Sequence, residues 1–214
     1  MVSTAVFRHV PFLSIAHIEA AAQGLFEAYF ARIGQMPRIP VPVEEIVECH
    51  CGLSMSFAEL NDSEQVVHLG QTDFDAREVQ VDTSLDPDLY PAQLGRFRFT
   101  IAHELGHWVL HRQLLIPQDQ IAIIERPAAR VASSSPTGFD PAEFQANRFA
   151  AALLMPRSFV RAAWAEQHGE SEQVAVDVLA ERFQTSYSAM DVRVKQLGLI
   201  DPAGGGEVLP TIAL

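Results

Sequence analysis

Two histidines four residues apart, with a glutamate directly after the first, make up the segment His103-Glu104-Leu105-Gly106-His107. On a helix such positions share one face, with Cβ atoms about 6 Å apart, so both imidazoles can bind one small cation. Glu104 is not needed as a ligand and can act as a general base on a water held by that cation. The flanking Ile101, Ala102, Leu105, Val109 and Leu110 are apolar, as a core helix requires, and Gly106 leaves room beside the metal. The plainer alternative is a core helix whose histidines are merely hydrogen-bonded or exposed. A catalytic zinc site needs a third protein ligand, so the choice rests on whether the chain supplies one.

A second helical stretch, Glu143-Phe144-Gln145-Ala146-Asn147-Arg148-Phe149-Ala150-Ala151, offers it. Glu143 completes a His/His/Glu set for one zinc ion per chain and leaves the fourth position to water. A lone helix carboxylate is more often solvated, but beside His103 and His107 none is better placed. Asn147, one turn later on the same face, can accept a hydrogen bond from the far nitrogen of a ligand histidine and so fix its tautomer. Phe144, Phe149, Ala150, Leu153 and Leu154 are expected to pack this helix against the metal helix. His111 lies eight residues beyond His103, ~12 Å along a helix axis, which assigns it a supporting role and not a share of the same ion. Tyr90, Tyr187, His111 and His168 are the candidates for stabilising an oxyanion, and spacing does not choose among them. Cys49 and Cys51, the two cysteines, have no second pair with which to build a four-ligand structural site. They read as small residues at a helix end.

The elements that must position these groups read as an α+β fold, mostly helical, with a small antiparallel or mixed three-stranded sheet beside the His-Glu-x-x-His helix. Ser14 caps a helix to Ile33, followed by the proline-punctuated segment Met36–Pro42. A short helix over Val43–Cys51 stops at Gly52. Strands are expected at Leu53–Leu60, Val66–Thr72 and Glu78–Asp82, the last two joined by a turn over 73–77. The edge beside the metal helix would suit an extended substrate binding by strand addition. The metal helix spans Pro91–Arg112, the Glu143 helix Pro141–Leu154, and another begins at Pro156. A helical pair follows at Val174–Phe183 and Ser188–Leu197. The resulting organisation is an N-terminal helix and proline-rich linker (1–40), a zinc core (41–168), a C-terminal helical pair (169–200) and a flexible tail (201–214). The loop across 113–140, with Ser133-Ser134-Ser135-Pro136, lies between the two halves of the site and is a candidate gate.

With 214 residues and a net charge of −12, the chain has material for a sizeable core and argues against a surface built to hold nucleic-acid backbone. No signal peptide is read in Met1–Ala22 and no apolar run approaches a membrane span, so a cytoplasmic setting without membrane contact is expected. The turn Phe183-Gln184-Thr185-Ser186-Tyr187-Ser188 between two helices has helix-turn-helix character. Its second helix offers only Arg193 and Lys195 as basic groups, so a cap is favoured over direct DNA binding.

Together, Arg98-Phe99-Thr100-Ile101-Ala102-His103-Glu104-Leu105-Gly106-His107, Glu143-x-x-Ala146-Asn147-x-Phe149-Ala150 and Leu153-Leu154-Met155-Pro156 resemble the ImmA/IrrE family of zinc metallopeptidases. The resemblance runs over roughly Val43–Ile200. It implies a gluzincin-like site with His103, His107 and Glu143 on zinc and Glu104 as base. It also implies a protein substrate, a helix-turn-helix transcriptional repressor whose cleavage relieves repression of stress-response, phage or mobile-element genes. Gln145 stands where family members commonly carry a second acid, and the N-terminal segment is not evidently the DNA-binding domain that many relatives carry. The remaining alternative is a non-proteolytic, zinc-containing regulatory or DNA/partner-binding module.

Overall fold

A computed structural model describes residues 10–61, 68–114 and 140–200. Helix α1 (Ile15–Ile33) starts where the Ser14 hydroxyl accepts the His17 amide and ends at Gly34 in a left-handed conformation. Its apolar stripe of Ile18, Ala22, Phe26, Tyr29 and Phe30 is buried in the same core as the later helices. The chain then forms a short helix, α2 (Val43–Glu45), that widens into a π-turn over Ile46–His50. The uniform helix expected there is interrupted because the wider turn buries Val43, Ile46 and Val47 together.

Strands β1 (Ser54–Ala58), β2 (Gly70–Asp73) and β3 (Glu78–Asp82) form the expected small sheet, in the order β1-β3-β2. It is mixed: β1 runs parallel to β3, and β2 pairs antiparallel with it, Thr72 opposite Val79. The β2–β3 turn is shaped by Asp73, whose carboxylate accepts the amides of Asp75 and Ala76, and by Arg77 at φ 57°. The start of the second strand near Val66 falls outside the described residues, as do most of the 113–140 loop and the 201–214 tail.

Helix α3 (Leu94–His111), which carries His103, Glu104 and His107, is preceded by a 3-10 turn at Pro91–Gln93 and followed by another at Arg112–Leu114. Its partner α4 (Pro141–Leu154) opens on Asp140, whose carboxylate accepts the Ala142 amide at 2.8 Å, with Pro141 in the first turn. Then come α5 (Arg157–Ala165), α6 (Glu172–Phe183) and α7 (Tyr187–Gln196), the last two capped by Ser171 and Ser186. Phe144 departs from expectation: it is 37% exposed, with the Arg148 guanidinium over its ring. The inward face of α4 is carried by Gln145, Ala146, Phe149, Ala150 and Leu153, at helical spacing that turns position 144 outward.

Arg193 ties the C-terminal pair to the rest. Fully buried, it donates to the Met155 carbonyl at 3.0 Å and pairs with Glu19 of α1. One of the two basic groups of that helix is therefore an internal clamp. The α6–α7 turn also rests on the start of α3, where a Cβ on Gly95 would meet the Ser186 nitrogen at 2.7 Å. Replacing Arg193 with Met should cost about 2–4 kcal/mol, because Glu19 and the Met155 carbonyl lose their partner. Urea denaturation at neutral pH would measure this, and an unchanged midpoint would remove Arg193 from the clamp.

Candidate metal centre

One turn of α3 and the first turn of α4 bring three donor side chains to one point. His103 Nε2 and His107 Nε2 lie 3.0 Å apart, and each is 3.3 Å from a different oxygen of Glu143. Donors held about 2.0–2.1 Å from a tetrahedral ion are separated by about 3.3 Å, so the residues present fit a single divalent cation. Among the described residues this is the one His/Cys/Asp/Glu cluster so arranged. Cys49 is exposed and Cys51 partly so, both free thiols outside that group.

The convergence has a packing cause. At Gly106, a Cβ would meet the Ala146 Cα at 3.1 Å and the Phe149 Cβ at 3.3 Å. The room expected beside a metal is thus occupied by the α4 backbone, and that close approach is what carries Glu143 to the histidines. Glu143 also sits at a helix N-terminus, where a negative charge is favoured. Burial alone would raise its carboxyl, yet hydrogen bonds and charge from His103 and His107 hold it far below the usual carboxylate range. Burial would push the His103 imidazole down, but Glu143, Glu104 and Asn147 together raise it.

The second nitrogens of both histidines are spoken for. His103 Nδ1 lies 3.0 Å from Asn147 Oδ1, an acceptor that places the proton on Nδ1 and leaves Nε2 bare. His107 Nδ1 lies 3.1 Å from His111 Nδ1, and His111 Nε2 lies 2.9 Å from Gln145 Oε1. Burial pushes the His111 imidazole down from 6.5 to about 4, against a weaker upward pull from Gln145.

Glu104 is buried and held by β2. The Thr72 hydroxyl donates to Glu104 Oε2 at 2.8 Å. Gly70 makes this possible, since a Cβ there would sit 2.6 Å from Thr100 Cγ2 and 3.0 Å from Glu104 Oε1. Phe74 stacks on Trp108 at 5.7 Å and fixes the same hairpin to α3 further along. Thr72 and Gln145 were not singled out for these contacts by sequence reasoning. The one available signal, a Gly-x-Thr at the end of a strand preceding the metal helix, is too common to be read alone. Tyr90, Tyr187 and His168 are all exposed.

A helix bearing His-Glu-x-x-His, a facing helix bearing a third donor and an edge strand on the intervening glutamate define a metallopeptidase-like domain. Residues 92–195 match the family model of the IrrE N-terminal-like domain, Peptidase_M78. Among solved structures, the chain is similar to a Mycobacterium tuberculosis transcriptional regulator, at 22% identity and a TM-score of 0.50. The match covers 88% of this chain and 58% of that one, so the chain spans well under two thirds of its neighbour's length and the likeness is one of fold. No curated protein matches the chain.

Two expectations follow. Gly106→Ala should force α3 and α4 apart at a cost of about 1–3 kcal/mol and weaken metal binding by moving Glu143. Calorimetric titration of the folded variant with zinc would show it, and wild-type affinity would refute the packing argument. In the metal-free protein, His111 takes a proton below 6.5 when unfolded but only near 4 when folded. Its contribution to stability is therefore complete above 6.5 and lost as the pH falls toward about 4. Measured against His111→Leu at each pH, wild type should lose on the order of 3 kcal/mol between neutral pH and about pH 4. A difference that stays constant with pH would contradict this.

Proposed function

We propose that the protein is a zinc-dependent endopeptidase whose substrate is a helix-turn-helix transcriptional repressor, and that its setting is cytoplasmic. The observation that carries the reading is the convergence of His103, His107 and Glu143 around one point, with the buried Glu104 between the two histidines in sequence. When bound, zinc supplies a Lewis acid that polarises a peptide carbonyl and acidifies water. The same three-donor set also suits iron(II), but the M78 peptidase domain and the base next to His103 favour zinc.

The chain's own residues divide the remaining work. Asn147 holds the His103 ring with Nε2 bare, and Thr72 fixes one oxygen of Glu104. Glu104 takes a proton from the attacking water and delivers it to the leaving amine. β2 stands at the end of the described sheet order, on the side of α3 that carries Glu104. An extended peptide added along it would run past that carboxylate. A regulatory substrate agrees with the ImmA/IrrE resemblance and with the description of the Mycobacterium tuberculosis neighbour as a transcriptional regulator.

The helical pair supports a cap and not a DNA reader. Arg193 is buried and Lys195 pairs with Asp191 at 2.7 Å on the same helix, so this pair presents no basic face of the kind DNA binding needs. Among the described residues no helix is long and apolar enough to cross a membrane.

The test is incubation of the full chain with helix-turn-helix repressors from its own organism, with zinc content measured in parallel. Wild type should cleave one of them. Glu104→Gln should slow cleavage by roughly 10²–10⁴-fold while keeping about one zinc per chain. Equal cleavage by both would overturn the mechanism, and repressors all left intact would overturn the substrate.

A further inference from the structure

A buried polar chain leads from the metal centre to the N-terminal segment. It runs from His107 through His111, which is 0% exposed, and Gln145, which is 2% exposed, to the backbone carbonyl of Pro11. Buried polar groups that fail to satisfy one another are costly, so the donor and acceptor roles along such a chain are tightly constrained. The constraint starts at its far end. A carbonyl only accepts, so the 2.8 Å contact to Pro11 fixes the Gln145 amide with its nitrogen toward Pro11 and its oxygen toward His111. Gln145 Oε1 then requires a proton on His111 Nε2 at 2.9 Å. A neutral His111 carrying that proton has a bare Nδ1, which must accept. The proton in the 3.1 Å contact between the two Nδ1 atoms therefore belongs to His107. His107 protonated at Nδ1 presents a bare Nε2 to the point shared with His103 and Glu143.

We infer that His111 and Gln145 are positioning residues, a neutral relay through which the N-terminal segment at Pro11 selects the metal-binding tautomer of His107. This rests on the metal site of the proposed function but makes its own demand. Gln145 touches no ligand, yet its loss should reach the metal. Without the Gln145 oxygen, His111 can turn its proton to Nδ1, and His107 must then protonate Nε2, the atom a cation needs. Asn147 performs the same service for His103 through a single exposed contact, whereas His107 depends on two buried side chains and a backbone anchor.

Zinc affinity by chelator competition on the full-length chain tests it, with folding checked by circular dichroism. His111→Leu and Gln145→Leu should each weaken zinc binding about 10–100-fold, the range for loss of a group that orients a ligand histidine. His111→Asn, which keeps an acceptor facing His107, should remain within about threefold of wild type. The double variant should be no weaker than His111→Leu, because both changes break one chain. Long-range ¹H–¹⁵N spectra of the zinc-loaded wild type should show His107 protonated at Nδ1 and His111 at Nε2. Should His111→Leu fail to fold, Gln145→Leu, His111→Asn and the spectra carry the test. Wild-type affinity in a folded Leu variant, or the opposite tautomers, would overturn the relay while leaving the metal site standing. Absence of zinc binding by wild type would instead overturn the proposed function.

Discussion

The close approach of α3 and α4 at Gly106 and Ala146 is the contact on which the site depends. Two helices carrying larger residues at that crossing would stand further apart, and Glu143 would no longer reach both histidines. With glycine on one side and alanine on the other, the backbones nearly touch, and a carboxylate in the first turn of α4 falls between two imidazoles on the last turns of α3. The placement of the donors is thus set by a steric fact at the residue next to His107. Its cohesion comes from apolar burial of Ile101, Leu105, Phe149, Ala150 and Leu153 on the facing stripes.

The sheet serves that helix pair more than it stabilises the fold by itself. Three short strands gain stability by packing an apolar face or a helix, and they are held on α3 through Thr72 at Glu104 and Phe74 at Trp108. The same contacts place β2 against the Glu104 carboxylate. Glu104 is therefore oriented by a strand, while the donor atoms are oriented by α4 and its neighbours.

Much of this was legible in the sequence because periodicity and capping are local. Ser14 and Asp140-Pro141 mark helix starts by their own chemistry, and the i, i+4 histidines declare a shared face wherever the helix is. The strands were legible by alternation, though their ends and the parallel pairing of β1 with β3 depend on long-range partners. What failed did so for the same reason. Phe144 reads as core by hydrophobicity, but one position of rotation on α4 puts it outside. Arg193 reads as a surface charge until Glu19, 174 residues earlier, is folded against it. Gly106 suggests space for a metal, and only the tertiary crossing shows that a helix fills it. Thr72 and Gln145 carry no local signal, since their partners Glu104, His111 and Pro11 are joined to them only in three dimensions.

The charge of the site explains why a neutral chain stands behind His107. Glu104 and Glu143 already bring two carboxylates to a largely buried region, and Glu143 stays ionised there because two imidazoles face it. A further acid at position 145, where the ImmA/IrrE resemblance leads one to expect it, would add a third negative charge within the same low-dielectric volume and would pull a proton onto His111. A doubly protonated His111 offers His107 no acceptor. Gln145 supplies the acceptor oxygen without the charge, and its amide nitrogen needs a carbonyl to face, which Pro11 provides. With an amide at position 145, the back of the site needs a carbonyl acceptor, and the N-terminal segment supplies it at Pro11.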